Sequence, residues 1–402
     1  MQKSDSLYKE AWKKLKKDNV SRIGIGVILL MIFVAIMGPL IRPDNTPNAD
    51  QQVLQLKSKS PGFSIDMLYK IRNAEPRSSN VFSTIIFGKE SEYAQPIPLM
   101  SYWFEADQIF MVRYMGSETL TDTISENLCD VLYPISYDQK IAFDGKVLKG
   151  KTITGEGIEI SREEAIEEIE DHHIKSKTFL LGTDRNGRDF LSRIMAGTRV
   201  SLGVGFIAVI ISILLGIVLG ALAGFYGGWV DNAITWVISV FWSIPALLLV
   251  IAITLSLGKG VEVVFIAVGL TMWVEVARIV RGQFLSLSQF EFVEAGRALG
   301  FKQNRIIFKH ILPNTVGPII VVSVSNFATA ILLEAGLSFL GLGAQPPQAS
   351  WGEMVGTYSG YLVGDNPHLA ILPGLAIVIT VIAFFMLGNG LRDAFDVRDS
   401  KD

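Results

Sequence analysis

The sequence predicts an all-α membrane protein with six transmembrane helices and an α+β domain inserted between the first two. Half of the 402 residues are hydrophobic, and the charged residues concentrate in blocks. Several uncharged apolar runs reach the length of about 20 residues that a helix needs to cross a bilayer. A soluble enzyme would instead intersperse its charged residues. The single cysteine, Cys129, leaves no intrachain disulfide to expect.

The first apolar run predicts a transmembrane helix over residues 23–41. Residues 1–22 before it are rich in lysine, and basic flanks stay on the cytoplasmic side of a span, so we expect this segment in the cytoplasm. A secretory signal peptide is the alternative, but the run is too long and lacks a small-x-small cleavage site. Hydropathy predicts five further spans at about 200–226, 234–257, 261–281, 316–341 and 368–390, with kinks at Pro245 and Pro373.

Residues 42–180 differ in composition and predict an extracytoplasmic α+β domain. Residues 44–178 contain 22 Asp and Glu against 14 Lys and Arg. Short apolar and aromatic runs alternate there with turn signals, which argues against a long disordered loop, and this length is enough to bury a core. A capping box of Ser161 and Glu164 predicts one exposed helix.

Two patterns in this domain resemble chemical sites. Residues 145–152, GKVLKGKT, fit the phosphate-loop pattern, but alternating residues follow where a helix is required, so a hairpin turn is the better interpretation. His172 and His173 lie beside several glutamates. Adjacent side chains point apart on a helix, so we expect a solvated surface, with metal binding as the minor alternative.

The segment LGTDRNGRD, residues 181–189, precedes the second span and predicts two turns. The apolar positions of residues 190–195 then predict a short helix in the membrane interface. A calcium loop is a weak alternative because the acidic spacing is wrong. Within the second span, Gly216, Gly220 and Gly224 are spaced by four, which lets another helix approach closely.

Two carboxylates fall in or beside the later spans. Glu275 is three residues before Arg278, so a local ion pair on one helix face is expected, with a pathway role as the alternative. Glu334 lies near the outer end of the fifth span. There it would line a translocation pathway or pair with a partner subunit.

The stretch EFVEAGRALGFKQNRIIFKHILPN, residues 291–314, is polar and basic between two apolar runs. It predicts a helix over 291–299, a left-handed turn at Gly300, and a second helix from Lys302 that Pro313 closes. Six spans with the N-terminus inside put residues 282–315 in the cytoplasm. An ordinary amphipathic connector between spans is the alternative.

This stretch resembles the EAA loop of ATP-binding-cassette (ABC) importer permeases. Its matching residues are Glu294, Ala295, Gly300, Leu312 and Pro313, while Gly296 replaces the second Ala and His310 replaces an Ile, as in the peptide branch. LGTDRNGRD and the segment EAGLSFLGLGAQPPQASWGEM, residues 334–354, are similar to segments of dipeptide, oligopeptide and nickel permeases. The resemblance covers residues 1–42 and about 180–402, and the insert is the departure from it.

The resemblance implies the type I ABC importer permease fold, with residues 181–402 as the permease core and residues 282–315 as its ATPase-coupling loop. It implies a homologous second permease subunit, two ATPase subunits that bind ATP and Mg, and an external substrate-binding lipoprotein. It places no catalytic residue, metal or cofactor on this chain, whose remaining contact is membrane lipid and not nucleic acid. The predicted site residues are Glu294, Ala295, Gly296, Gly300, Leu312 and Pro313 for coupling, Glu334 and Glu275 for the pathway or a subunit contact, and Asp184, Arg188, Asp189, Pro346, Pro347 and Trp351 for contact with the binding protein.

We therefore expect the permease subunit of an ATP-driven importer of di- or oligopeptides, in the plasma or inner membrane, with both termini cytoplasmic. Import of nickel or another small solute is the nearest alternative. An ion-gradient-driven carrier would show paired repeats and more intramembrane charges. A membrane-anchored outer receptor or enzyme would place its function in residues 44–178, where no Ser/His/Asp or Cys/His arrangement stands out.

Overall fold

The computed structural model describes residues 2–74, 80–117, 119–135 and 141–395, with side chains from residue 9. The chain forms two compact units, an α+β unit of residues 36–196 and a helical unit of residues 1–35 and 197–402. The α+β unit thus includes residues 181–196, which the sequence analysis assigned to the permease core. The C-terminal residues 396–402, for which we predict a cytoplasmic location, lie outside the described residues.

Two helices begin the chain, α1 (Gln2–Lys17) and α2 (Asn19–Ile41). Asp18 separates them, and its carboxylate accepts hydrogen bonds from the Ser21 hydroxyl at 2.5 Å and the Ser21 amide at 2.9 Å. These bonds hold the pKa of Asp18 below its usual value, as expected for a carboxylate at a helix N-terminus. Helix α2 therefore begins before the predicted residue 23 and includes the predicted span.

In the described part of the α+β unit, eight strands form two antiparallel sheets. The five-stranded sheet has the order β4-β3-β2-β1-β8, and the three-stranded sheet has the order β5-β6-β7. The strands are β1 (Phe63–Leu68), β2 (Ile97–Glu105), β3 (Gln108–Tyr114), β4 (Thr121–Asn127), β5 (Ala142–Phe143), β6 (Val147–Lys151), β7 (Gly157–Ser161) and β8 (Ile174–Phe179). The helices are α3 (Val81–Phe87), α4 (Leu128–Leu132) and α5 (Arg162–Glu168).

One core joins both sheets and two of these helices. Met111 of β3, Leu128 of α4, Leu148 of β6 and Ala165 of α5 are all fully buried in it. Strand β8 lies at one edge of the five-stranded sheet, and Phe179 is its one buried residue. The described part of this unit thus has the apolar interior that an independent domain requires.

The local predictions for this unit have different outcomes. The capping box of Ser161 and Glu164 is confirmed. Residues 147–151 form a strand paired with β7, so the phosphate-loop pattern belongs to a hairpin, as predicted. The prediction of a solvated surface is wrong for His173, which is buried at the end of a π-helical turn with Nδ1 2.6 Å from the Tyr69 carbonyl oxygen.

Nine further helices belong wholly or largely to the described helical unit. They are α6 (Phe190–Tyr226), α7 (Gly228–Ser243), α8 (Ala246–Leu257), α9 (Val261–Leu287), α10 (Glu291–Ala298), α11 (Gln303–Ile306), α12 (Leu312–Phe339), α13 (Trp351–Tyr358) and, last, α14 (His368–Phe395), of which α6 starts before residue 197. Among the described residues, five helices are long and apolar enough to cross a membrane, or six when α7 and α8 count as one bent span. The first of the nine is α6, and it is continuous from Phe190, so residues 190–195 are its first turns and not a separate interface helix.

The predicted span 234–257 is broken. The axes of α7 and α8 differ by 93° across Ile244 and Pro245. Ile244 has the extended backbone that a following proline favours, and Pro245 then caps the N-terminus of α8. The sequence located the break correctly but predicted a kink within one helix. Pro373 lies inside α14, as predicted.

Candidate coupling segment and associated polar sites

Helix α10 is a short amphipathic helix that is fixed on one side only. Val293 and Gly296, three residues apart, are buried, while Glu294 and Ala295 are exposed. Val293 belongs to a cluster with residues of α9 and α12, so the buried stripe attaches α10 to long helices of the same unit. The two family-motif residues of this helix therefore remain available at its outer face.

Gly300 ends this segment with the predicted left-handed turn, at a φ of +73°. The Gly300 amide donates to the Arg297 carbonyl at 3.0 Å, and the Phe301 amide donates to the Gly296 carbonyl at 3.0 Å. This pair of bonds is the Schellman motif, which satisfies the last carbonyls of a helix and favours glycine at its left-handed position. An added Cβ at Gly300 would meet no atom within 4 Å, so the requirement for glycine there is conformational and not steric.

Phe301 fixes the turn from the other side. The Arg305 guanidinium lies 4.0 Å from the centre of its ring, and the ring of His310 stacks on it at 5.8 Å. A Cβ added to Gly296 would lie 3.4 Å from the Phe301 ring, which is ordinary contact, so the family's alanine would also fit. This stack of arginine, phenylalanine and histidine was not predicted from the sequence.

The segment after the Gly300 turn is not the separate helix from Lys302 that the sequence predicted. Helix α11 leads through a π-helical turn, Ile307–Ile311, into α12, and residues 303–339 count as one helix of 37 residues. The Leu312 amide donates to the Ile307 carbonyl across this wide turn. The turn precedes Pro313, whose ring clashes with the carbonyl four residues back in a regular helix and which has no amide hydrogen to donate. Pro313 therefore widens the helix instead of closing it.

Helices α6 and α9 touch through the predicted glycines. A Cβ added at Gly216 would lie 2.5 Å from Val276 Cβ, and one added at Gly220 would lie 2.5 Å from the Ala277 carbonyl oxygen. Gly224 has the same relation to Arg281, with its carbonyl oxygen at 2.6 Å. The close helix approach that the spacing predicted is confirmed.

A bidentate ion pair, which the sequence analysis missed, joins α9 to α7. Arg281 donates to both Asp231 carboxylate oxygens, with Nε–Oδ1 at 2.5 Å and Nη2–Oδ2 at 2.7 Å. The predicted pair of Glu275 and Arg278 is not present: both side chains are exposed, and the Arg278 guanidinium lies 3.7 Å from the centre of the Trp242 ring. Tertiary partners more than 30 residues away therefore outcompete the local one.

Glu334 is buried among hydroxyl groups of its own chain. Its side chain is 2% exposed and accepts hydrogen bonds from the hydroxyls of Ser338 at 2.7 Å and Ser201 at 3.2 Å. Ser350 provides a third bond, and its hydroxyl also accepts the Glu353 amide at the start of α13. The carboxylate thus connects α6, α12 and α13 within one chain, and its role in a pathway or a subunit contact stays a prediction.

Three of the residues predicted to contact a binding protein are interior in the α+β unit. Asp184 is 0% exposed, and its carboxylate lies 2.6 Å from Arg188 Nε. Arg188 also pairs with Asp50 at 2.8 Å, and Asp189 accepts the Ser192 amide at 2.7 Å. These side chains organise the turns before α6 and are buried in the described chain, and their contact with a binding protein stays a prediction.

The three residues of the helical unit that were predicted to contact a binding protein differ in burial. Trp351 is 0% exposed, and a Cβ added at Gly197 would lie 2.8 Å from its indole ring. Pro346 and Pro347 are exposed and remain available for a partner. Among the described residues, no group of three or more His, Cys, Asp or Glu side chains is arranged to hold a metal ion.

Comparison with known proteins gives the family. Residues 216–400 match the binding-protein-dependent transport system inner membrane component, and residues 6–61 match the N-terminal transmembrane domain of oligopeptide transport permease C. The glutathione transport system permease protein GsiD of Pectobacterium atrosepticum is 43% identical over 223 residues, which are 56% of this chain and 74% of that protein. The chain belongs to this permease family.

Other relatives agree. GsiD of Escherichia coli O157:H7 is 45% identical, and the dipeptide transport system permease protein DppC of Alkalihalophilus pseudofirmus is 44% identical, each over 54% of this chain and 71% of its own length. A solved inward-facing structure of the MetNI methionine ABC transporter is 18% identical with a TM-score of 0.42, over 51% of this chain and 97% of that one. Residues 62–215 of this ABC permease lie outside both family matches, and they include most of the α+β unit.

Proposed function

We propose that this chain is the permease subunit of an ATP-driven importer that takes up di- or oligopeptides. The relatives named above are permeases for glutathione, itself a short peptide, and for dipeptides. We further propose that the chain pairs with a homologous permease, that two cytoplasmic ATPases bind ATP and Mg, and that an external substrate-binding protein delivers the peptide. The permease itself would carry out no bond chemistry.

The exposed apolar surface of the coupling segment is the observation that supports this proposal most. Phe292 on α10 is 42% exposed, Leu299 is 72% exposed, and Phe308 in the following π-helical turn is 63% exposed. These side chains surround a segment that is otherwise polar, so they do not extend a lipid-facing span. Exposed apolar side chains that concentrate in one segment are typical of a protein interface. A groove in the ATPase is the partner we propose for it.

The same segment has a geometry suited to transmit force. Helix α10 connects through the Schellman turn at Gly300 to the continuous 37-residue helix of residues 303–339. A rigid helix moves as one body when its end is displaced. We propose that closure of the ATPases on ATP moves α10, and that α12 passes this movement to the other spans, which alternate the access of the pathway.

The proposed orientation places the coupling segment inside the cell and the α+β unit outside. Six spans, with α7 and α8 as one, and a lysine-rich N-terminus agree with it. The exposed Pro346 and Pro347 would then face the external binding protein. Residues 1–22 and 282–315 would share the cytoplasmic side.

The test is peptide uptake by proteoliposomes that contain this permease, its partner permease, the ATPases and the binding protein. We expect uptake of a labelled dipeptide that requires internal ATP and persists when ionophores abolish ion gradients. The double substitution Phe292→Ser and Leu299→Ser should abolish uptake, while Leu362→Ser, at a similarly exposed position away from the segment (53%), should not. Uptake that needs an ion gradient and ignores ATP would instead establish a secondary carrier.

A further inference from the structure

Helix α3 of the α+β unit has its apolar residues on the outside and a polar residue on the inside. Its sequence is VFSTIIF, and its exposed fractions are 66% for Val81, 71% for Phe82 and 70% for Phe87. The one buried residue of this helix is Thr84. A surface helix of a protein in water has the opposite pattern, with its apolar stripe facing the core. The exposed face of α3 therefore suits an apolar environment.

The polar groups of α3 are satisfied within the segment. The Asn80 side chain caps the helix by accepting the Ser83 amide at 2.7 Å. The hydroxyls of Ser83 and Thr84 both donate to the Asn80 carbonyl, at 2.9 and 3.1 Å. The Gly88 amide closes the other end on the Thr84 carbonyl at 2.9 Å. Because these donors have partners, moving this side of the helix out of water costs less than it would with unpaired donors.

The C-terminal end of α3 is attached to the residues that follow the first transmembrane helix. A Cβ added at Gly88 would lie 2.5 Å from Pro47 Cα, and the Lys89 amide donates to the Asn45 carbonyl at 3.0 Å. Arg42 directly follows α2 and donates to the Pro47 carbonyl at 3.1 Å. Pro47 is six residues beyond the end of α2 at Ile41, a path of at most about 20 Å when fully extended.

By its length and composition, α2 is a candidate membrane span, so we take its end as the level of the bilayer surface. Ile41 is the last residue of this membrane-spanning helix and is 51% exposed, and the charged Arg42 and Asp44 come next. Residues 36–41 belong to the same compact unit as α3. The apolar face of α3 is thus held close to the level at which the hydrocarbon region meets water.

We propose that α3 is an interfacial membrane anchor, with Val81, Phe82, Ile86 and Phe87 inserted among the lipids of the leaflet in which α2 ends. Lipid fits better than a protein partner because α3 itself carries no charged side chain, and specific protein interfaces usually include polar pairing around the apolar centre. Interfacial helices bury their apolar face about 5–10 Å into the boundary of headgroups and acyl chains. The anchor would tie the α+β unit to the bilayer at a point separate from its two covalent connections.

Spin labels can measure this insertion in the full-length chain in lipid nanodiscs. Cys129 is the sole cysteine and is buried, so a Cys129→Ser background permits single labelling at Phe82→Cys or Phe87→Cys. Leu120→Cys is the matched control, since Leu120 is a 62% exposed apolar residue near β4, at the sheet edge farthest from β8. Glu156→Cys, in the exposed turn before β7, is the aqueous reference.

We expect labels at Phe82 and Phe87 to collide with oxygen more than with a water-soluble nickel complex, at a depth of about 5–10 Å below the phosphates. The labels at Leu120 and Glu156 should collide freely with the nickel complex. Equal nickel accessibility at all four sites would overturn the proposal. Protection of Phe82 and Phe87 that appears only when the substrate-binding protein is added would overturn it too, because the face would then be a protein interface. Neither result depends on transport activity, so the proposed function is tested separately.

Discussion

Replacing Gly300 with valine should reduce both peptide uptake and the ATP hydrolysis that the peptide-loaded binding protein stimulates. Gly300 holds a φ of +73° at the end of α10, a conformation that costs other residues about 1–2 kcal/mol and a β-branched residue more. That energy corresponds to a roughly 5- to 30-fold fall in the ratio of the native turn to its alternatives. The Gly300 and Phe301 amides would then lose the carbonyl partners that fix α10 relative to the helix of residues 303–339.

The assay is ATP turnover by the reconstituted complex, with and without the peptide-loaded binding protein, alongside uptake. For Gly300→Val we expect stimulated turnover and uptake to fall by up to about 5- to 30-fold, with the purified chain still folded. Gly282→Ala is the matched control: Gly282 lies within α9, and an added Cβ meets nothing within 4 Å. There alanine should be neutral or stabilise the helix by up to about 1 kcal/mol.

The comparison also separates strain from size. Because no atom lies near the Gly300 Cβ position, Gly300→Ala should show a smaller version of the valine effect, and Gly300→Asn a still smaller one, since asparagine tolerates the left-handed region better. Unchanged uptake and unchanged stimulated turnover in Gly300→Val would refute the idea that this turn transmits force. A loss ordered by side-chain volume instead of backbone preference would point to steric exclusion by a partner subunit.

Four further predictions concern stability and reactivity. Gly220→Ala should lower the unfolding midpoint in detergent by an amount that corresponds to about 1–3 kcal/mol because its Cβ meets the α9 backbone, whereas Gly203→Ala in the same helix, with open space around it, should not. Glu334→Ala should destabilise by about 1–3 kcal/mol because it leaves buried serine hydroxyls without their acceptor; a midpoint equal to wild type would contradict this. Arg281→Lys loses the bidentate geometry and should unfold earlier than wild type in thermal scans, although the charge is kept. Cys129 should resist maleimide at pH 8 until denaturant is added, because burial raises its pKa to about 11, which leaves about a thousandth of it as thiolate.

Residues 291–314 include one feature that the sequence predicted correctly and one that it predicted wrongly. A glycine after an amphipathic octet predicted the left-handed turn, and this succeeded because φ at such a position depends on local backbone sterics. The fate of Pro313 was predicted wrongly. A proline ends or distorts a helix, and the choice between these depends on whether a wide turn can be packed, here against a cluster that includes Ile307, Ile311 and Val280.

Charged side chains were the least predictable feature. Glu275 and Arg278 satisfy the spacing rule for a helix pair, yet Arg278 stacks on Trp242 instead. Asp231 and Arg281 are 50 residues apart and form the actual bidentate pair. A local pair on an exposed helix face contributes only about 0.2–0.5 kcal/mol, which a tertiary partner easily exceeds.

The burial of side chains in the loops was a second feature that the sequence did not determine. Asp184, Arg188 and Trp351 occur in segments that look like exposed loops by composition, but they are interior because their partners come from elsewhere in the fold. The composition of a loop indicates where the backbone turns, but it does not indicate whether the side chains face solvent.

The sequence by itself determined the class of this protein, its spans, the glycine contact between α6 and α9, and the coupling turn, since each depends on periodicity or on backbone conformation within one segment. Only the tertiary structure decided which charges pair, that Glu334 is enclosed by three serines, that span three is bent by 93°, and that α3 turns its apolar side outward. Those outcomes depend on which distant segments meet, and no local stretch of residues determines the free energy of such contacts.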